Sequence, residues 1–343
     1  MTIKNDKILE VLAHVLYFPK SDNVVSLNMI RDIHVHNNHI HFDIFFEKKD
    51  ERNEGVVEKA CVDALKKEFG NDVQVLAQIK HPSNPFDKIK NIIAVTSGKG
   101  GVGKSTISVN LAVALSKTGA KTGIIDADIY GPSIPIMFDV EDAKPQVVEK
   151  DGKTWMLPIE KYGIKILSIG FFVDPGKALI WRGPMASGAI KQLFNDSDWG
   201  ELDYLVIDMP PGTGDIHLTL AQEIPVSGIV IVTTPQEVAL TDARKAISMF
   251  NQNNISIPIL GLVENMSYFT PAELPEKKYY IFGKEGGKRL AEKAKIPLLG
   301  EVPIVESVCE DSDKGLPSAL NDDSIISDAF QELVTNVVKE LLK

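Results

Sequence analysis

The feature that most constrains the fold is a glycine-rich stretch at residues 95–112, VTSGKGGVGKSTISVNLA. Gly98 to Ser105 fit the pattern G-x-x-x-x-G-K-[S/T], which binds phosphate when it follows a strand and opens a helix. Both conditions are met, because the apolar run NIIAVTS precedes the loop and a helical pattern follows it. Such a loop directs backbone N–H groups at phosphate oxygens and adds the positive end of the helix dipole. The stretch therefore predicts a nucleotide phosphate site.

The same motif gives individual residues their expected contacts. Lys104 should bridge the β- and γ-phosphates, and the hydroxyl of Ser105 should reach a Mg2+ ion. The predicted nucleotide-binding residues of the loop are Gly98, Lys99, Gly100, Gly101, Val102, Gly103, Lys104, Ser105 and Thr106. The alternative is a glycine-rich turn that binds nothing, and the complete motif in its strand–loop–helix context argues against it.

Short apolar runs alternate with helical patterns through the rest of the chain. The runs are KTGIIDAD, DYLVIDMP, GIVIVTTP, IPILGLVEN and PLLGEVP. Runs that are apolar throughout are typical of strands buried on both faces. The sequence therefore predicts an α/β fold over residues 91–343, with a mostly parallel, doubly wound sheet and helices on both faces. The segment KPQVVEKDGKTWMLPI predicts a hairpin, because an Asp-Gly turn separates two strand-like runs.

Residues 1–80 predict a separate small α+β domain, and the proline-containing residues 81–90 predict a linker. The expected elements are a helix at 6–17, two strands joined by an Asn-Asn turn, a helix at 55–69 and a final strand.

The predicted hairpin HVHNNHIH is unusual because it places four imidazoles on one face, those of His34, His36, His39 and His41. Four imidazoles are able to bind Zn2+ or Fe2+. We favour the alternative of a polar outer surface, because side chains in a row on a flat hairpin rarely converge on one ion.

Composition limits the classes of function. The 343 residues contain 47 acidic and 37 basic side chains, a formal charge of −10, which argues against a nucleic-acid binder. Two cysteines, Cys61 and Cys309, make no disulfide framework and fit a reducing, cytoplasmic compartment. No apolar run approaches the ~18 residues of a membrane span, and the C-terminal helical segment lacks the basic face that anionic lipid favours. We expect a cytoplasmic protein without nucleic-acid or membrane partners.

The loop sequence GKGGVGKS resembles the deviant Walker A motif of the MinD/ParA, nitrogenase iron protein and Mrp-type ATPases. In those families the additional lysine, here Lys99, crosses a dimer interface to the nucleotide of the partner subunit. The resemblance implies an ATPase that forms a homodimer with nucleotide at the interface, and catalytic roles for Lys99 and Lys104. A solvated lysine beside the loop is the alternative for Lys99.

Three aspartates follow predicted strands, at the edge where doubly wound sheets bind ligands. In GIIDADIYGPS, Asp126 would hold a Mg2+-bound water, and Asp128 would orient or deprotonate the attacking water. The segment YLVIDMPPGTGD looks like Walker B followed by a switch. There Asp208 would belong to the Mg2+ shell, and the N–H of Gly212 would sense the γ-phosphate. A single aspartate after a strand is usually a turn residue.

Several segments are similar to the Mrp/ApbC family of iron–sulfur cluster carrier ATPases: DADIYGPSIP, WRGPMASGAI, DYLVIDMPPGTGD, TTPQEVALTDARKAI, ENMSYF and LGEVPIVESV. The resemblance covers residues 91–320, and residues 1–80 resemble, more loosely, the small domain of many Mrp proteins. It implies Mg2+-dependent ATP binding and hydrolysis in iron–sulfur cluster assembly, with assembly factors or apoprotein recipients as partners. It also implies that Asn265 contacts adenine; the alternative for Asn265 is a turn residue at a strand end.

The sequence departs from that family where a cluster would bind. Typical members carry Cys-x-x-Cys after ENMSYF, and two subunits hold a [4Fe–4S] cluster through their thiolates. This chain has TPAELP at residues 270–275, and carboxylates replace thiolates poorly. Cys309 is the remaining candidate ligand, while Cys61 fits a core position. Two other functions stay open: a MinD/ParA-like ATP-switched positioning or adaptor protein without a cluster, and an Mrp scaffold that recruits an iron–sulfur partner through its N-terminal domain.

Overall fold

The chain forms two units with separate hydrophobic cores, Met1–Asn84 and Pro85–Lys343, and their boundary falls inside the predicted linker. They are described from a computed structural model. The described residues are 3–343 except 48, 82–83, 151–152, 173–182, 215–216, 218–219, 221–222, 253–256, 272, 275 and 323–324.

The N-terminal unit contains a three-stranded sheet. Its elements are α1 Asn5–Leu12, β1 Leu16–Tyr17, β2 Asp22–Asn23, β3 Ile30–His36, β4 His39–Phe45, α2 Glu54–Phe69 and β5 Gln74–Lys80. Strands β3 and β4 are antiparallel, and β4 and β5 are parallel because α2 carries the chain across between them. Helix α1 is shorter than predicted, since Leu16 and Tyr17 leave it to pair with β2.

The histidine hairpin pairs as the sequence predicts. His34 lies opposite His41, and His36 lies opposite His39. Ile40, on the other face, is fully buried. The four imidazoles do not come together as a metal site. His34, His36 and His39 are exposed, so this face is an outer surface of the sheet.

The larger unit is built on an eight-stranded sheet. In chain order its elements are β6 Ile89–Ser97, α3 Lys104–Lys117, β7 Thr122–Asp126, α4 Ile134–Met137, β8 Gln146–Lys150, β9 Lys153–Leu157, β10 Ile159–Lys161, β11 Ile164–Ser168, α5 Gly183–Asn195, β12 Leu202–Asp208, β13 Gly228–Thr233, α6 Glu237–Phe250, β14 Ile259–Phe269, α7 Gly286–Ala294, β15 Leu298–Ile304, α8 Glu306–Asp313 and α9 Ile325–Leu341. The strand order of the sheet is β10-β11-β7-β12-β6-β13-β14-β15, and in it β10 alone is antiparallel to its neighbour. Strands β8 and β9 form the predicted hairpin.

Successive residues of the central strands enter two different cores, one on each face of the sheet. In β6, Ile93 and Val95 join the core that contains α3 and α9, while Ile92 and Ala94 join the core that contains α5, α6 and α7. This alternation follows from the period of two residues in a strand. It confirms the predicted doubly wound α/β fold.

Helix α9 buries one stripe of its surface, including Phe330, Leu333 and Val337, in the first of these cores. No helix in the described ranges is both long and apolar enough to cross a bilayer.

Candidate functional site

The glycine-rich loop joins β6 to α3 at the carboxyl edge of the sheet. Gly101 and Gly103 both have φ +80°, a left-handed conformation that side chains disfavour. At Gly98 a Cβ atom would lie 2.2 Å from the backbone carbon of Asp242 in α6. The loop curls around a cavity of about 410 Å3, to which Asp128, Pro211 and Asp313 also contribute. Local geometry thus requires glycine at several positions, as the motif predicts.

Lys104, the first residue of α3, is nearly buried beneath the cavity. Its Nζ lies 2.8 Å from Oδ2 of Asp208 and 3.6 Å from Oδ2 of Asp128. The hydroxyl of Ser105 donates to Oδ2 of Asp208 at 2.6 Å. These residues are far apart in sequence. They meet because β6, which leads into the glycine-rich loop, pairs in parallel with β12, so that both strands end at the same edge of the sheet.

Ser108 is a site residue that the sequence reasoning missed. It is fully buried, and its Oγ lies 2.6 Å from Oδ1 of Asp208. The carboxylate of Asp208 is thus held on both oxygens. The spacing in the sequence could have identified it, because Ser108 lies one helical turn after Lys104 and faces the same side of α3.

Asp126 ends β7 and is fully buried. Its oxygens accept hydrogen bonds from the N–H of Asp128 at 3.1 Å, the N–H of Ile134 at 3.2 Å and the hydroxyl of Ser168 at 3.0 Å. Burial, followed by the charge of Asp208, raises the pKa of Asp126 to about 7. Ser168, at the end of the neighbouring β11, was also missed by the sequence reasoning.

The donor groups at this edge fit Mg2+. Asp126, Asp128 and Asp208 place three carboxyl groups around the single ammonium of Lys104, so a divalent cation would relieve their mutual repulsion. Mg2+ prefers oxygen ligands and is usually held by one or two carboxylates plus substrate phosphates and water. The hydroxyl of Ser105 and the carboxylate of Asp208 lie side by side and would supply two such oxygen ligands.

Asn265 lies within β14 and is not a turn residue at the strand end. Its Nδ2 donates to the carbonyl of Val102 at 2.8 Å, and a Cβ atom on Gly103 would lie 2.2 Å from this nitrogen. The next residue, Met266, has φ +55°, and the pairing with β15 shifts register after Asn265. The amide therefore braces the phosphate loop from the side of β14.

The segment after Asp208 is tied to the phosphate loop through backbone groups. The N–H of Gly212, at φ +98°, donates to the carbonyl of Ser97 at 2.8 Å. Nε2 of the buried His217 lies 2.9 Å from the carbonyl of Pro210, and burial lowers the pKa of His217. A neutral imidazole that donates from Nε2 fits these contacts.

The segment at which the Mrp-type resemblance places Cys-x-x-Cys lies between Phe269 and Tyr279, which bond to each other. Phe269 and Tyr279 exchange both backbone hydrogen bonds at 2.8 Å, and the ammonium of Lys278 lies 3.8 Å from the ring centre of Tyr268. Within TPAELP, residues 272 and 275 lie outside the described residues, as do 181 and 182 of WRGPM. Cys309 is exposed on α8, the helix whose residue Asp313 lines the cavity.

The two thiols should react at very different rates. Cys61 is fully buried, and burial raises its pKa to about 12, so almost no thiolate forms at pH 8. Cys309 is exposed. We expect one fast thiol per chain with Ellman's reagent and a second only after unfolding, and Cys309→Ser should remove the fast one. Two fast thiols in the native protein would contradict the burial of Cys61.

Comparison with known proteins decides the family. A family model described as ParA: NUBPL iron-transfer P-loop NTPase matches residues 88–338. The chain belongs to this family.

Relatives of this iron-transfer NTPase family extend the match. The iron-sulfur cluster carrier protein of Synechocystis sp. is 43% identical over 323 residues, which cover 92% of this chain and 91% of that protein. The carrier protein of Escherichia coli K12 is 45% identical, over 87% of this chain and 79% of its own length. An Arabidopsis thaliana mitochondrial iron-sulfur protein required for NADH dehydrogenase is 51% identical over 74% of this chain and 79% of its own. The predicted Mrp/ApbC resemblance is confirmed.

Solved structures agree with this assignment. A nucleotide-binding protein of Archaeoglobus fulgidus in complex with ADP is 41% identical, with a TM-score of 0.60 over 70% of this chain and 92% of its own. MinD of Pyrococcus horikoshii with Mg-ADP is 22% identical, with a TM-score of 0.53 over 73% of this chain and 96% of its own. The second likeness concerns the fold alone.

Proposed function

We propose that the chain is a Mg2+-dependent ATPase that serves iron–sulfur cluster assembly and delivers clusters to apoproteins. One observation carries the nucleotide part: Lys104, Ser105 and Ser108 converge on the buried carboxylate of Asp208 beside the phosphate loop. The cargo is supported by the carrier proteins that match 92% and 87% of the chain.

The loop residues bind the triphosphate through their backbone N–H groups, and Lys104 contacts its β- and γ-phosphates. Ser105, Asp208 and Asp126 would hold Mg2+, which when bound neutralises charge on the phosphates. Asp126 is already oriented for this task by Ser168 and by two backbone N–H groups.

Asp128 is the proposed base or orienting group for the attacking water. Its carboxylate lines the cavity, and burial raises its pKa despite the nearby Lys104. The water oxygen bonds to the γ-phosphorus while the bond to the bridging oxygen of ADP breaks. Asp128 accepts the proton of the water, and the products are ADP and phosphate.

Two further residues have proposed roles in this mechanism, Lys99 at a dimer interface and Gly212 in sensing the γ-phosphate. Lys99 lines the cavity, and we propose that it reaches the nucleotide of a second subunit, where a cation stabilises charge on the transferring phosphoryl group. The N–H of Gly212 donates to Ser97, so contact with a γ-phosphate requires it to exchange partners. Asn265, beside Gly103, is the proposed contact to adenine.

Cluster binding must differ from that of family members with a thiol pair. A subunit exposes Cys309 and buries Cys61, so a homodimer offers two accessible thiols, fewer than the four cysteine ligands of a [4Fe–4S] cluster. We propose that partner proteins supply the remaining cluster ligands during transfer.

We also propose that the protein works in the cytoplasm.

Anaerobic reconstitution tests this proposal. With iron, sulfide and no added thiol, the desalted protein should retain well under four iron atoms per dimer, because two thiolates hold a cluster weakly. Iron and acid-labile sulfide are counted on wild type and Cys309→Ser. Four iron and four sulfide per dimer that survive gel filtration would contradict the shared-ligand proposal.

A second candidate is a MinD/ParA-like switch in which ATP gates dimerisation and an adaptor surface without cargo. The absence of cysteine from residues 267–283 favours it. Nucleotide-dependent dimerisation is common to both functions, so only cluster transfer separates them.

A further inference from the structure

The N-terminal unit contains a cavity of about 520 Å3 that the ATPase proposal does not use. It lies between the β1 region, the start of β3 and the end of β4, and its volume is in the range of small-ligand sites. We propose that this cavity binds an apolar carboxylate and that Arg31 holds the carboxylate group.

Arg31 is the cation of the cavity that has no anionic partner among the described residues. Its guanidinium carbon lies 3.8 Å from the ring centre of Phe45. The other cations there are paired, Lys20 with Glu47 at 2.7 Å and Lys49 with Glu51 at 2.6 Å.

The remaining carboxylate of the wall is also engaged. Asp50 accepts from the hydroxyl of Tyr17 at 2.6 Å and from the amide of Asn53 at 2.9 Å. The N–H donors of Arg31 therefore stay available to a ligand.

The walls are held in place by contacts between elements. The ring of Tyr17 packs edge-on against Phe46 with centroids 5.7 Å apart. The N–H of Phe45 donates to the carbonyl of Met29 at 2.7 Å, which joins the end of β4 to the segment before β3. A site built in this way loses little conformational freedom when a ligand enters.

The chemistry of the cavity selects the ligand class. A guanidinium stacked on a ring presents its N–H edge to a planar carboxylate in two parallel hydrogen bonds. Leu27, Met29 and Tyr17 beside it accept an apolar body. The shared chemistry is a carboxylate on an apolar group, supplied by the C-terminus of a peptide or by a small organic acid.

Asp43 is the rival partner for Arg31. The two residues are opposite each other in the β3–β4 pairing, and Oδ1 of Asp43 is buried with no hydrogen-bond partner in the described part of the chain. If Arg31 turned to this carboxylate in solution, the cavity would hold no free cation, so the experiment includes Asp43.

The test is fluorine NMR titration of full-length protein into 3-(4-fluorophenyl)propionate, with the corresponding amide as the uncharged probe. We expect the acid to bind, and the amide and Arg31→Gln each to weaken binding by about tenfold or more, the loss of charged hydrogen bonds. Arg244→Gln, the same change on the exposed face of α6, should leave binding unchanged. Equal binding of acid and amide, or unchanged binding by Arg31→Gln, would overturn the proposal.

Two further variants test whether the planar guanidinium is required and whether Arg31 is paired with Asp43. Arg31→Lys keeps the positive charge but not the planar fork, so it should also bind the acid more weakly; wild-type affinity in this folded variant would contradict the role of the guanidinium. Asp43→Asn should leave the affinity for the acid unchanged. A tenfold gain in affinity would show that Arg31 is paired with Asp43 in the wild type, and would overturn the proposal. Displacement of the probe by N-acetyl-Leu-Phe, but not by its C-terminal amide, identifies a peptide terminus; displacement by small acids alone identifies a free acid.

Discussion

ATP turnover by Lys104→Ala should fall by at least about 100-fold, the scale seen when one preorganised group that stabilises transition-state charge is removed. Lys104 is buried, and its ammonium lies 2.8 Å from Oδ2 of Asp208 and 3.6 Å from Oδ2 of Asp128. Without it, the γ-phosphate and both carboxyl groups lose a positive charge that the bound Mg2+ does not replace at the same position. Phosphate release from saturating ATP, with Mg2+ and with EDTA, measures the effect.

The matched control is Lys117→Ala, in the last turn of the same helix α3. Lys117 contacts the carbonyl of Ala319 and the carboxylate of Asp322, away from the phosphate loop. Its turnover should stay near that of wild type. Equal turnover by wild type and Lys104→Ala would remove Lys104 from the mechanism.

Gly98→Ala should lower the unfolding free energy by about 1–3 kcal/mol or more, as overpacking does. The new Cβ would lie 2.2 Å from the backbone carbon and 2.3 Å from the backbone oxygen of Asp242. Backbone atoms of a helix cannot move aside as a flexible side chain does, so α6 must shift away from the loop. Urea or thermal unfolding followed by circular dichroism measures the loss.

Gly100→Ala is the control from the same loop. No atom lies within 4 Å of a Cβ built on Gly100, and its φ is not left-handed. Its unfolding free energy should stay within about 0.5 kcal/mol of wild type, as for most surface substitutions. If both variants unfold alike, the close approach of loop and α6 is wrong.

The parts of the site that the sequence could predict are those encoded by a local motif. The phosphate loop, with Lys104 and Ser105, is one continuous stretch between a strand and a helix. Asp126 and Asp208 could be placed because each ends an apolar run, and parallel strands end at one edge. The α/β fold class could be predicted from the same apolar runs, because they alternate with helical patterns.

The parts that could not be predicted depend on register between distant segments. Ser168 meets Asp126 because β11 pairs with β7 in register, and this strand order is not visible in a local pattern. Strand β14 extends to Phe269, which pairs with Ile304 of β15 after a shift in register and also exchanges backbone hydrogen bonds with Tyr279. The contact of Asn265 with Val102 likewise joins segments far apart in sequence.

The segment between Phe269 and Tyr279 is where this chain departs from the sequence pattern of its family. Nucleotide residues match the family, while the loop that would carry thiols has none. The protein therefore combines the P-loop NTPase scaffold of an iron-transfer family with few cysteine ligands of its own.

Delivery of a cluster to an apo-enzyme separates a cluster carrier from a cargo-free switch. The measurement is the rate at which an apo-enzyme that needs a [4Fe–4S] cluster regains activity from a cluster donor, with and without this protein and Mg-ATP. Wild type should accelerate reactivation in the presence of Mg-ATP, and Lys104→Ala should not. An unchanged reactivation rate with wild type that hydrolyses ATP would contradict the role in cluster delivery and favour the cargo-free switch.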